Sequence, residues 1–207
     1  AGEMGIGVVT NLPVLGRFEA KYIPKADSTE NADNANSGDA LASVGSGESY
    51  SLKTNLADLP VLGSYLDGAT FTTGFEVMED ATDVNTADTL DATGALNYSV
   101  GNFALGFQKK VHEEGTTTTG AQEVRYNDTA MGISYAVNDS LSVSYNRYES
   151  KRHNPGAVNV EQTTTAFNIG YTMGGMTIGF QEASTDNANW VLDGEDDSTT
   201  LGVSVAF

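Results

Sequence analysis

Read back from its last residue, the chain alternates. Leu201, Val203, Val205 and Phe207 interleave with Gly202, Ser204 and Ala206. Successive side chains of a strand point to opposite faces, so this two-residue period predicts a strand with one apolar face and one small, polar face. Met176, Ile178 and Phe180 repeat the pattern after Phe167, Ile169, Tyr171 and Met173, and Gly174-Gly175 between them reads as a hairpin turn. Leu141, Val143 and Tyr145 continue it upstream, as do Met131, Ile133, Tyr135 and Val137, then Phe103, Leu105 and Phe107, then Leu96, Tyr98 and Val100, then Phe71, Phe75 and Val77. The pattern predicts eleven strands, near residues 4–11, 14–25, 49–56, 69–79, 92–101, 103–113, 128–138, 141–151, 163–173, 176–185 and 198–207.

The connections alternate as well. Those at 11–13, 101–102, 138–140 and 174–175 are tight, whereas 26–48, 80–91, 114–127, 152–162 and 186–197 are long and polar. One end of the predicted sheet therefore carries turns and the other carries loops, the arrangement of an up-and-down antiparallel sheet. The stretch 57–68 belongs to the turn end but is longer than a tight turn.

The polar faces separate a soluble sheet from a membrane one. A soluble β-sandwich dresses its outer faces with Lys, Glu and Arg, whereas the polar positions here are mostly Gly, Ser, Thr, Asn and Ala, with charge gathered in the loops. No apolar run approaches the roughly 18 residues of a spanning helix, but a membrane barrel has none either, because its strands alternate lipid-facing and lumen-facing residues. The mean hydropathy of −0.26 suits such averaging. Phe and Tyr cluster near strand ends, as in interfacial girdles, and segments of about ten residues suit a tilted crossing of the hydrocarbon layer. The expected fold is all-β, an antiparallel up-and-down transmembrane β-barrel occupying 1–207 as one domain. A secreted carbohydrate-binding β-sandwich is the alternative.

Charge and composition narrow the chemistry. Against 28 Asp and Glu stand 10 Lys and Arg, a formal charge of −18, which argues against a nucleic-acid partner. The chain has no Cys, which removes disulfides, thiolate metal sites and cysteine nucleophiles. Only His112 and His153 suit general-base work near neutral pH, and neither accompanies a Ser in a nucleophile elbow. Gly5-Ile6-Gly7 and Gly45-Ser46-Gly47 do not complete a phosphate-binding fingerprint. No enzymatic activity is expected.

The dyad strands, the alternating turns and loops, and the closing Leu201-Gly202-Val203-Ser204-Val205-Ala206-Phe207 resemble the bacterial outer-membrane general porins, particularly the acidic alphaproteobacterial type. The resemblance covers nearly the whole chain, and the terminal Phe resembles the signal read by the barrel-assembly machinery. It implies a water-filled channel for passive diffusion of small hydrophilic solutes and ions. It also implies a bacterial outer-membrane location, contact with the lipid bilayer and lipopolysaccharide, a homotrimer, and no cofactor. Eleven strands is odd, whereas bacterial single-chain barrels close with an even number. Either a further strand lies within 26–68, giving a closed twelve-stranded transporter or adhesin, or the chain is the C-terminal part of a sixteen-stranded barrel. The resemblance favours the second, and on that mapping the family's inward-folded constriction loop lies before Gly2.

Strand parity then assigns the lumen side. Phe18 and Tyr22 take the apolar face, so Arg17, Glu19 and Lys21 take the other, with Lys53 on the next strand, Glu76 beyond it, and Gln108 and Lys110 on the sixth. Arg17, Lys21, Lys53 and Lys110 resemble the basic wall of porins, where a transverse field orients polar solutes, with Glu19 and Glu76 as acidic neighbours. The competing reading is that they solvate the lumen or pair with those acids. Arg147 falls on the apolar parity, at the outer headgroups or at a bulge. Glu79, Asp80 and Asp83, and Asp193, Glu195, Asp196 and Asp197, are candidate oxygen ligands for a structural calcium ion; the competing reading is a solvated negative vestibule. The net charge predicts cation preference.

Overall fold

A computed structural model describes residues 5–24, 46–61, 63–79, 88–115 and 123–206. They form one antiparallel sheet of eleven strands in sequence order: β1 (Ile6–Leu12), β2 (Gly16–Ile23), β3 (Gly47–Asn55), β4 (Ala69–Met78), β5 (Thr89–Val100), β6 (Phe103–Glu113), β7 (Arg125–Ala136), β8 (Leu141–His153), β9 (Val160–Met173), β10 (Met176–Asp186) and β11 (Glu195–Val205). The eleven strands and the alternation of turns with loops are as the period predicts. Several strands run further toward the loop end than the apolar alternation does. β5, β7, β9 and β11 each start about three residues earlier, because polar residues such as Asp91, Asn127, Gln162 and Asp197 continue the ladders.

The turn end is built by local chemistry. Gly101 and Gly174 take positive φ of 54° and 60° in the two-residue turns before β6 and β10. Before β8 the Asn138 Oδ1 accepts from the amides of Ser140 and Leu141, both at 2.9 Å, an Asx-type turn. The stretch 57–68 holds two short 3-10 turns, Leu56–Asp58 and Gly63–Tyr65, joined where the Gly63 amide donates to the Leu59 carbonyl at 2.9 Å. No additional strand lies in 46–68 among the described residues; the rest of the 26–68 region is outside them. β1 and β11 are the edges of the sheet and do not pair with each other.

All these strands belong to a single sheet, so the two-sheet sandwich is not the arrangement found. Among the described residues the buried hydrophobics are Ala69 and Val160, and the apolar face is left open, with Leu201 70% and Val203 62% exposed. Continuous registers fix what shares a face. Phe180, Ile169, Val143, Tyr135 and Phe103 lie on one rung across β10, β9, β8, β7 and β6. Phe103 and Tyr135 stack with ring centroids 4.5 Å apart.

The apolar band climbs obliquely across this face. On β10 its last member toward the loop end is Phe180, with charged Glu182 next on the same parity. On β6 it reaches Phe107, four residues beyond Phe103, before Lys109. Phe107 shares a rung with Leu96 and Phe71, and on β4 the band runs past Thr73 through Phe75 to Val77, six residues further, before Glu79 on the same parity. Advances of four and six residues amount to about 34 Å of strand, against about 29 Å for the six strand spacings crossed, a slope of about 50°.

Candidate functional site: the polar face

The opposite face carries Gly, Ser, Thr and Asn, and a compact group of charges among them. Arg17 pairs with Lys53 across β2 and β3. Two residues up β2, Glu19 stands on a rung with Ser51, Gly74, Thr93, Lys110, Asp128 and Ser150. Two further up, Lys21 leads the rung of Ser49, Glu76, Asp91, His112, Tyr126 and Arg152. All seven residues that parity assigned to the lumen therefore share one face within three successive rungs, Gln108 standing on the rung of Arg17 and Lys53.

They do not form a wall of one sign. The Arg17 guanidinium lies 3.1 Å from the Glu19 carboxylate. Lys110 Nζ lies 2.7 Å from Asp91 Oδ1, and His112 Nδ1 lies 3.0 Å from Asp91 Oδ2. Glu76 and Asp91 stand directly across β4 and β5, a like-charge opposition that costs energy unless a cation is nearby, and Lys110 supplies one. These partners are substantially solvated, so their effect on stability is small and their effect on the local field larger. A hollow of about 490 Å³ is lined by Glu19, Ser49, Glu76, Asp91, Thr93 and Lys110. A second, also about 490 Å³, is lined by Arg17, Lys53, Asp58 and Asp67 among others.

Asp91, His112 and Asp128 are members of this group that the apolar alternation did not flag. The signal for Asp91 was present, since Leu90 and Ala92 flank it on the other parity. His112 is oriented by Asp91 and its ring lies 6.0 Å from that of Tyr126; the described hydrogen bonds attach no Ser or Thr hydroxyl to it.

Arg147 sits on the apolar face with the register unbroken between Met131 and Thr165, so there is no bulge at this position. Its guanidinium pairs with Glu149 at 2.6 Å. On β8 it comes directly after Tyr145 on that parity, at the upper edge of the apolar band, as Lys109 does on β6 and Glu182 on β10.

The calcium candidates are not brought together. Asp193 lies in the β10–β11 loop with a positive φ of 59°, while Glu195, Asp196 and Asp197 are consecutive in β11 and project to alternate faces. Glu79 follows β4, and Asp80 and Asp83 lie outside the described residues. Among the described residues no group of three or more His, Asp or Glu is arranged to hold a metal ion.

The β10–β11 loop, whose acids read from sequence as calcium ligands or a solvated negative vestibule, packs onto the polar face. The Asn189 amide donates to Gln162 Oε1 at 2.9 Å on β9, and the Trp190 indole donates to the Ser150 carbonyl at 3.0 Å on β8. The indole also meets the Tyr126 ring on β7 edge-on, with centroids 5.0 Å apart. Ser150 is 1% exposed, and its hydroxyl donates to Asp128 at 2.6 Å. Trp190 was a lone residue in a polar loop, and no periodicity marks such a contact.

Comparison with known proteins finds no matching family model and no matching curated protein.

Proposed function

We propose that this sheet is the wall of an outer-membrane β-barrel channel resembling a general porin, through which small hydrophilic solutes and ions diffuse passively. The oblique apolar band carries the reading. Strands of membrane barrels tilt by about 35–45°, so a band lying level with the bilayer must climb across their rungs at that slope. The slope here is about 50° by the strand spacings, a few degrees above that range. A solvent-exposed sheet has no reason to arrange its Phe, Leu and Val in this way.

Supporting features lie on both faces. Lys109, Arg147 and Glu182 begin where the band stops on their strands, which suits the boundary between acyl chains and headgroups. The other face, lined by small polar residues and a compensated set of charges, suits a wetted lumen. Open edges at β1 and β11 cannot face lipid, because each unpaired backbone group there costs several kcal/mol, so further strands complete the barrel. The resemblance puts these strands in the same chain and the channels in homotrimers, in contact with lipopolysaccharide. The formal charge of −18 makes the channel cation-preferring. The natural full-length protein, reconstituted in planar bilayers, should give stepwise, ohmic, cation-selective conductance. A protein that stays soluble and monomeric without detergent would exclude the reading.

A further inference from the structure

We infer that the β10–β11 loop is a fixed arm folded inward over the polar face, that it narrows the loop-end mouth of the channel along β7–β9, and that Trp190 is the residue that pins it. The inference rests on the channel reading but is carried by a separate set of contacts.

From the end of β10 the arm passes over β9 and β8 to reach a ring on β7, three strand spacings, or about 14 Å, along the sheet from its root. Tyr126, Ser150 and Gln162 all occupy polar-face parity, so the arm lies on the face that the channel reading makes the lumen. The anchors are spread along it. Asn187 donates to the Glu161 carbonyl at 2.9 Å and accepts from the Asp193 amide at 3.0 Å, which closes the loop on itself. Further backbone bonds, Ala188 to Gly194 at 2.8 Å and Gly194 to Val191 at 3.0 Å, hold its shape.

The backbone points the same way. Asn187, Asn189, Trp190 and Asp193 all have positive φ, between 53° and 59°. Asn and Asp tolerate the left-handed region, whereas a Trp does so only when its surroundings hold it there. Those surroundings are the Ser150 carbonyl and the edge-on Tyr126 ring, which itself has the Arg152 guanidinium 5.9 Å from its centroid. Strain held by specific contacts marks a position whose geometry matters. A wide channel with an arm across one sector of its mouth selects solutes by size on that side, and the indole sets how far the arm reaches.

Trp190 is the one tryptophan of these 207 residues, so with any tryptophan elsewhere in the full-length protein replaced by Phe its fluorescence reports on the arm without any channel assay. In the natural full-length protein in liposomes, Trp190 emission should be shielded from acrylamide and unaffected by brominated acyl chains. Tyr126→Ala and Gln162→Ala should each shift the emission to the red and increase quenching by acrylamide. In planar bilayers Trp190→Ala should raise single-channel conductance and the largest permeant oligosaccharide, and Gln162→Ala should do so in part. A channel whose conductance and size limit ignore all three substitutions would overturn the inference while leaving the channel reading intact. Quenching of Trp190 by brominated lipid would overturn it directly. No conductance from the natural protein would remove the channel reading and the arm's role in it together, with the fluorescence still showing whether the arm is pinned.

Discussion

Lys110 Nζ lies 2.7 Å from Asp91 Oδ1 across the β5–β6 ladder, one rung away from direct opposition, and so the Asp91 carboxylate faces Glu76 on one side and two basic groups on the other. Both side chains are about a third or more exposed, so Asp91→Asn should cost no more than about 1 kcal/mol of stability. Its effect on permeation should be larger. Removing the carboxylate leaves Lys110 uncompensated beside the hollow, and the cation-to-anion permeability ratio should fall; Lys110→Met should raise it. Reversal potentials in a salt gradient read both, and unchanged values for both variants would take this pair off the solute path.

Arg17 and Lys53 stand directly opposite on β2 and β3. Like charges so placed oppose pairing, by roughly 0.2–1 kcal/mol relative to a neutral pair. Lys53→Glu should therefore stabilise the sheet slightly while increasing cation preference. Charge reversal at both sites without any change in selectivity would refute their role in the pore wall.

Leu105 lies in the middle of the apolar band on β6, between Phe103 and Phe107, and Gln108 takes the other face. A lipid-facing position at mid-depth resists charge by about 2–4 kcal/mol. Leu105→Arg should lower folding stability in lipid vesicles by that amount, measured by urea titration, whereas Gln108→Arg should stay within about 0.5 kcal/mol of the natural protein. Equal effects of the two would mean the faces are not distinguished by their solvent.

Gly16 opens β2 with φ of 91°, and a Cβ there would run into the Lys53 carbonyl oxygen. Gly16→Ala should destabilise by more than about 1 kcal/mol, because both conformation and space are wrong for a side chain. The same vesicle titration checks it.

The strands were legible because the period of two is a local signal, visible in Phe103-Ala104-Leu105-Gly106-Phe107 without knowledge of any neighbour. Their loop-side extensions were not, since Asp91 and Asn127 continue ladders with polar residues on both faces, where hydrophobicity stops reporting strand geometry. Parity placed Arg17, Glu19, Lys21, Lys53, Glu76 and Lys110 together on one face, but register decides partners. The Arg17–Glu19 pair, two residues apart on one strand, is the one the competing reading named, whereas the Lys110–Asp91 pair depends on the β5–β6 register. The acidic run at 193–197 looked like a cluster in one dimension and is divided by the strand's own pleat. The Trp190 contact spans 40 positions of sequence and depends on a loop conformation that no composition rule encodes.

The account depends on the apolar face meeting acyl chains and the polar face meeting water. These 207 residues hold no Cys, so in the full-length protein with any Cys elsewhere replaced, single nitroxide labels can be placed in turn at Leu105, Gly106, Phe107 and Gln108 on β6 and at Ala130, Met131, Gly132 and Ile133 on β7, with the protein in liposomes. Labels at 105, 107, 131 and 133 should collide with oxygen and those at 106, 108, 130 and 132 with a water-soluble nickel chelate. Labels at 105, 107, 131 and 133 that are shielded from both, or reached by the chelate, would place that face against protein or water and contradict the channel.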